Sequence, residues 1–145
     1  MKYAMLILNP KSGKGLAQEF MAQLIFKLST YDILVTPFIT REACEAEYFC
    51  CYAKNYDFII VMGGDGTMHE VANGLIKNKI SRPIAYLPTG TTNDLAISLD
   101  IALHPLEALE SFLHDRKKKV DIGKFNGNYF TYVAAAGAFT QVSYQ

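Results

Sequence analysis

Unbroken apolar runs, each cut off by a turn-forming segment and followed by a helical pattern, set the tightest limit on what this chain can fold into. The run Tyr3 to Leu8 has the apolar continuity of a strand buried on both faces, and it stops at Asn9-Pro10. After it Leu16, Phe20, Leu24 and Leu28 recur at every fourth position, with Met21 and Ile25 widening the stripe of a helix. Ile33 to Ile39 reads as a second strand. Pro37 within it cannot donate to a ladder, which places that strand at a sheet edge. Arg41 to Lys54, rich in alanine and glutamate, reads as a helix capped by the Thr40 hydroxyl. Phe58 to Met62 and Ile84 to Leu87 are a third and a fourth strand, separated by the helical spacing of Met68, Val71, Ala72, Leu75 and Ile76. Strand and helix in strict alternation predict an α/β fold in three layers, a mostly parallel sheet flanked by helices.

The grammar changes further on. Pro105 opens a helix with Leu106, Leu109, Phe112 and Leu113 on one side and the basic run Arg116 to Lys119 at its negative end. Asp121 to Phe125 and Tyr129 to Val133 then flank Asn126-Gly127, a pair suited to the positive φ angles of a tight hairpin. The expected division is an α/β domain over residues 1–120 and, over 121–145, the start of an antiparallel, β-rich second domain. The chain stops at Gln145 just after a new segment begins, which suggests a fragment of something longer.

Bulk properties narrow the function. Fourteen basic side chains balance fourteen acidic ones, so no global field draws nucleic acid or an anionic membrane, and anion binding must be local. Cys44, Cys50 and Cys51 are odd in number and have no histidine pair beside them, so they read as free thiols in a reducing compartment rather than a zinc site. The N-terminal apolar run is far too short to span a bilayer. The expected location is cytoplasmic.

The stretch Gly63-Gly64-Asp65-Gly66-Thr67 lies between a buried strand and a helix, where missing Cβ atoms let backbone amides approach a phosphate. Thr67 and Glu70 have capping-box spacing, so the helix is expected to begin at Thr67. Asp65 would repel a bare phosphate, and its presence makes sense if Mg²⁺ or a hydroxyl lies between. Alone, such glycines could serve only a tight turn. They have company: Asn9-Pro10-Lys11-Ser12-Gly13-Lys14 follows the first strand, Thr40 the second, and Pro88-Thr89-Gly90-Thr91-Thr92-Asn93-Asp94 the fourth. In a parallel sheet all these strand ends emerge on one rim, where doubly wound folds bind ligands. The two common nucleotide signatures, G-x-x-x-x-G-K-[ST] and G-x-G-x-x-G, do not fit these loops.

With N-P-x-S-G at Asn9 to Gly13, G-G-D-G-T at Gly63 to Thr67 and P-x-G-T-x-N-D at Pro88 to Asp94, the chain resembles the diacylglycerol kinase catalytic domain family, especially its bacterial soluble members. The likeness runs on through Asp121-Ile122-Gly123 and covers the nucleotide-binding half of that family's catalytic unit. It implies ATP-dependent phosphorylation of a lipid hydroxyl, diacylglycerol first, on the fold shared with NAD kinases. By the same resemblance Asn9, Pro10, Lys11, Ser12 and Gly13, together with Gly64, Asp65, Gly66, Thr67, Met68, His69 and Glu70, hold ATP. Thr40 and Thr91 complete that site, and Asp65 acts through Mg²⁺. The resemblance puts the proton-accepting base in the second domain, so no catalytic base is expected here and the piece alone should be inactive. It further implies peripheral membrane contact, transient at the inner face, and allows a homodimer.

His69 stands where the family usually has asparagine, and Tyr132 stands in the F-x-N segment, departures that bear on the acceptor more than on ATP. His69 itself is expected to be an exposed first-turn residue, and His104 and His114 to be surface residues. Two other readings use the same loop: an NAD kinase, with Asp65 against a nicotinamide nucleotide, and a nucleotide-sensing module without catalysis.

Overall fold

A computed structural model describes residues 1–114, 123–125 and 128–130. Four strands, β1 (Lys2–Leu8), β2 (Ile33–Ile39), β3 (Phe58–Gly63) and β4 (Ile84–Pro88), form one sheet in the order β2-β1-β3-β4. Every pairing in it is parallel, with Leu8 opposite both Ile39 and Met62, and Gly63 opposite Pro88. This register brings the carboxyl ends of all four strands to one rim. Pro37 does lie on an edge strand. The Thr40 amide and the Asp32 carbonyl both turn toward β1, and alternation along the strand therefore puts the missing amide of Pro37 on the open side.

The apolar runs are buried because helices cover both sheet faces. Ala4, Leu6 and Leu8 of β1 pack on one side with Leu24 and Leu28 of α1 (Leu16–Thr30) and Leu109 of α5 (Pro105–Leu113). Met5 and Ile7 pack on the other with Ala46 of α2 (Glu45–Phe49), Val71 and Leu75 of α3 (Asp65–Lys77), and Leu95 of α4 (Asp94–Ser98). This is the three-layer arrangement that the alternation predicts. An ion pair from Lys27 to Glu110, at 3.1 Å, fastens α1 to α5 across their exposed flanks.

Several local expectations are corrected. Arg41 to Lys54 is not one helix: α2 is five residues long and passes into a 3-10 turn over Cys50–Asn55. Glu45 bonds back to the Arg41 amide and guanidinium, and Cys44 adopts φ 68°, so the backbone turns out of helical geometry before α2. Thr40 caps no helix; its hydroxyl donates to the Leu8 carbonyl at 3.4 Å. Ile25 faces outward from α1, and Ala17 takes a core place instead. The antiparallel pair β5 (Gly123–Phe125) and β6 (Asn128–Phe130) is present, with Phe125 opposite Asn128. The 120/121 boundary, Arg116 to Lys119, Asn126-Gly127 and Tyr132 lie outside the described residues.

Candidate functional site

With β2 and β1 on one side and β3 and β4 on the other, the chain reverses its direction of travel between β1 and β3, and the crevice of such a sheet opens there. A cleft of about 270 Å³ does open at that rim, lined by Asn9, Lys11, Thr40, Arg41, Glu42, Ala43, Gly66, Thr67 and Glu70. That volume is at the small end for ligand sites and suits an open groove.

Three loops build it, and hydrogen bonds hold Asn9, Lys11, Thr67 and Glu70 of its lining. Asn9 is the bracket of the first: its side-chain oxygen accepts the Lys11 amide at 3.0 Å and its Nδ2 donates to the Thr67 hydroxyl at 3.1 Å. The Asn9 amide in turn bonds the Met62 carbonyl at 3.0 Å, so the loop after β1 is anchored on β3. Lys11 Nζ reaches the Arg41 carbonyl at 3.3 Å and leaves its charge over the groove. Opposite, Glu70 accepts the Cys44 amide at 3.1 Å and pins the Arg41 to Ala43 wall.

The capping box is therefore not formed. α3 begins at Asp65, two residues before the expected start, and no side chain caps it. Thr67 and Glu70 have both been taken by tertiary partners, Asn9 and Cys44. The helix keeps orphan amides in its first turn, and Gly66 and Thr67 of that turn line the cleft. An anion there would meet N–H groups and the positive end of a thirteen-residue helix.

The glycines divide by role. A Cβ on Gly63 would lie 2.6 Å from the Thr67 side chain, and one on Gly90 would lie 2.5 Å from Gly64 Cα, so these three make room for the protein itself. Gly13, at φ 53°, would drive a Cβ to 1.9 Å from the Thr89 carbonyl oxygen. Only at Gly66, among the glycines of the Gly63 to Thr67 loop, would a Cβ meet no protein atom within 4 Å. Its bare backbone faces the groove.

Of the other expected residues, Pro10, Ser12, Gly13, Gly64, Asp65 and Thr91 are not in the lining of the groove. Ser12 is buried and meets the hydroxyl of the fully buried Thr89 at 3.4 Å. Met68 points into the core with Val71 and Leu75. His69 is exposed, as expected, and contacts Asn73 one turn on at 3.3 Å. His104 and His114 are exposed too, His104 set edge-on to Phe20 with ring centroids 5.2 Å apart. The fourth loop thus supports the site without lining it. Sequence reasoning missed the wall Arg41 to Ala43, although its place directly after Thr40 on the strand-end rim was the available signal.

Asp65 has different company from that expected. Its carboxylate accepts the Asp94 amide at 2.9 Å and the Leu95 amide at 3.2 Å, and the hydroxyls of Tyr86 and Thr92 each stand 3.4 Å away. Burial, and then the charge of Asp65, push the Tyr86 phenol well above its ordinary value, so it remains a donor. The carboxylate is turned toward α4 and away from the cleft, and this removes the repulsion a phosphate would otherwise meet. As a direct ligand for Mg²⁺ it fits poorly, because amides hold one side of each oxygen and hydroxyls face the other. Among the described residues no three of His, Cys, Asp and Glu gather into a metal site.

A parallel sheet with glycine loops and an uncapped helix start converging at its reversal point belongs to the doubly wound α/β class, whose ligand sites lie at such a rim. This chain belongs to the diacylglycerol kinase catalytic domain family, whose sequence profile matches residues 3–125. It is similar to the diacylglycerol kinase of Staphylococcus carnosus, 35% identical over 146 positions that cover 99% of this chain and 48% of that protein. A diacylglycerol kinase of Staphylococcus aureus is 39% identical over 147 positions, covering 99% of the chain and 46% of the relative. The crystal structure of a diacylglycerol kinase from Bacillus anthracis superposes with a TM-score of 0.78 at 33% identity, over 89% of this chain and 45% of that one. The chain spans a little under half the length of these relatives.

Proposed function

We propose that this chain is the ATP-binding half of a lipid kinase that moves the γ-phosphoryl group of ATP to a lipid hydroxyl, diacylglycerol giving phosphatidic acid. In that reaction the hydroxyl oxygen attacks phosphorus, the bond to the ADP oxygen breaks, and the hydroxyl proton passes to a base. Phosphoryl transfer asks chiefly for alignment and charge neutralisation. The groove offers both: the Lys11 ammonium on one wall and the orphan amides at Gly66 and Thr67 on the other are suited to phosphate oxygens, and Asn9 and Thr40 set their spacing. The base belongs to the part of the protein that the family's longer members carry beyond this domain, so the piece alone should hold nucleotide and transfer nothing.

Mg²⁺ would come with the triphosphate, since Mg²⁺ keeps several waters and needs only one or two carboxylates besides phosphate oxygens. It supplies neutralisation of the charge that spreads over the transferring group. Among the described residues no helix is long and apolar enough to cross a membrane. On the lipid-kinase reading the protein is cytoplasmic and meets its substrate at the inner face of the membrane. A homodimer is compatible with this reading.

The observation that carries the proposal is that a lysine and an uncapped helix start open onto one groove in a chain of this family. Titration calorimetry on the full-length protein tests it. ATP should bind, and Lys11→Ala should weaken binding about tenfold, the worth of one charge-assisted hydrogen bond. Equal affinity in the two proteins would exclude Lys11 from the phosphate site.

A further inference from the structure

The structure assigns Asp65 as a positioning residue that holds the loop between β4 and α4 in place, in contrast to a role as metal ligand. The two short bonds of its carboxylate go to the first backbone amides of α4, Asp94 and Leu95, twenty-nine and thirty residues away. They satisfy donors that α4 cannot satisfy itself, since no side chain of its own caps it. The segment just before α4 is then closed by Asn93, which sits at φ 51° and exchanges two bonds with Gly90, at 2.9 and 3.0 Å. Gly90 lies against Gly64, the residue next to Asp65, and Thr89 lies against Ser12 and Gly13. One carboxylate thus ties α3 to α4 and, through Gly90 and Thr89, fixes the backbone beside Lys11.

The alternative is direct coordination of Mg²⁺ at about 2.0–2.1 Å. That distance requires a bare lone pair, and the sides not facing amides are faced by the hydroxyls of Tyr86 and Thr92. A cation on either oxygen would have to displace the hydroxyl that faces it, Tyr86 at Oδ1 or Thr92 at Oδ2. An acid suits these amide partners: a carboxylate presents two acceptor oxygens to two N–H groups, whereas an amide side chain presents one.

Hydrogen exchange on the full-length protein reads this role without nucleotide. In Asp65→Ala the amides of Asp94 and Leu95 should exchange about tenfold faster or more, each having lost a charge-assisted bond. Asp65→Asn, which keeps one acceptor, should fall between and serves if the alanine variant does not fold. Unchanged protection at both amides in either variant overturns the assignment. The functional arm rests on the nucleotide reading above. Calorimetry with ATP in EDTA should show affinity lowered in Asp65→Asn by the same factor as with Mg²⁺ present. A loss confined to the Mg²⁺-dependent part of the affinity would instead make Asp65 a metal ligand. If wild type bound no ATP while the two amides still lost protection, the nucleotide reading would fail and the clamp would stand.

Discussion

At the scale of single residues the informative contrast is between glycines that look alike in the sequence. Gly66 meets nothing a Cβ would touch, and it lies in a helix, where alanine is favoured over glycine by about 0.5–1 kcal/mol. Gly66→Ala should therefore raise the urea midpoint while weakening ATP binding; a variant that bound ATP normally would show that the bare backbone is not needed for a ligand. Cys50 gives a second residue-scale test. Burial, with the charge of Glu47 next, pushes its thiol up from 9.0 to about 12. Above pH 9 the unfolded chain gives up this proton and the folded one keeps it, so stability is whole below pH 9 and falls as pH rises toward 12. The slope approaches about 1.4 kcal/mol per pH unit at most. Cys50→Val, lacking a titrating group, should show a shallower decline in denaturation midpoints over that window. The Gly63 to Thr67 motif was legible as a glycine-rich turn from strand to helix, but which of its glycines open onto the groove and which serve packing was not, because their neighbours Ser12, Gly90 and Thr67 are assigned by the fold.

At the scale of elements, α3 is held by what crosses it. A Cβ on Gly74 would lie 2.5 Å from the Glu47 carbonyl oxygen and 2.7 Å from Cys50 Cβ, so α2 and the turn after it rest directly on this helix. Gly74→Ala should destabilise by about 1–3 kcal/mol in chemical denaturation, the cost of overpacking exceeding the gain in helix propensity. The same substitution eight positions apart in one helix is thus expected to have opposite signs. Strands and long helices were readable because burial on both faces leaves unbroken apolar runs and helix packing leaves a four-residue stripe. α2 was misread because alanine and glutamate favour a helix over Arg41 to Lys54, and the competing bonds of Glu45 to Arg41 and of Glu70 to Cys44 lie outside any propensity. The false capping box has the same cause: Thr67 and Glu70 spend their oxygens on residues far away in the chain.

At the scale of the molecule, among the described residues β2 has a strand neighbour on one side only, and its other side is an open edge of the sheet. Leu34 and Ile39 of β2 are 51% and 47% exposed, and Pro37 removes one donor from that edge. Restoring a donor with Pro37→Val should leave ATP affinity unchanged and raise self-association in sedimentation velocity, since edge prolines discourage strand pairing between molecules. The strand order has a consequence for biosynthesis. β1 precedes both strands that flank it in the chain, yet it sits mid-sheet with Met5, Leu6 and Ile7 fully enclosed. On the ribosome it therefore emerges greasy on two faces and unbonded along two edges, a natural client for chaperones until β3 has been translated and can dock.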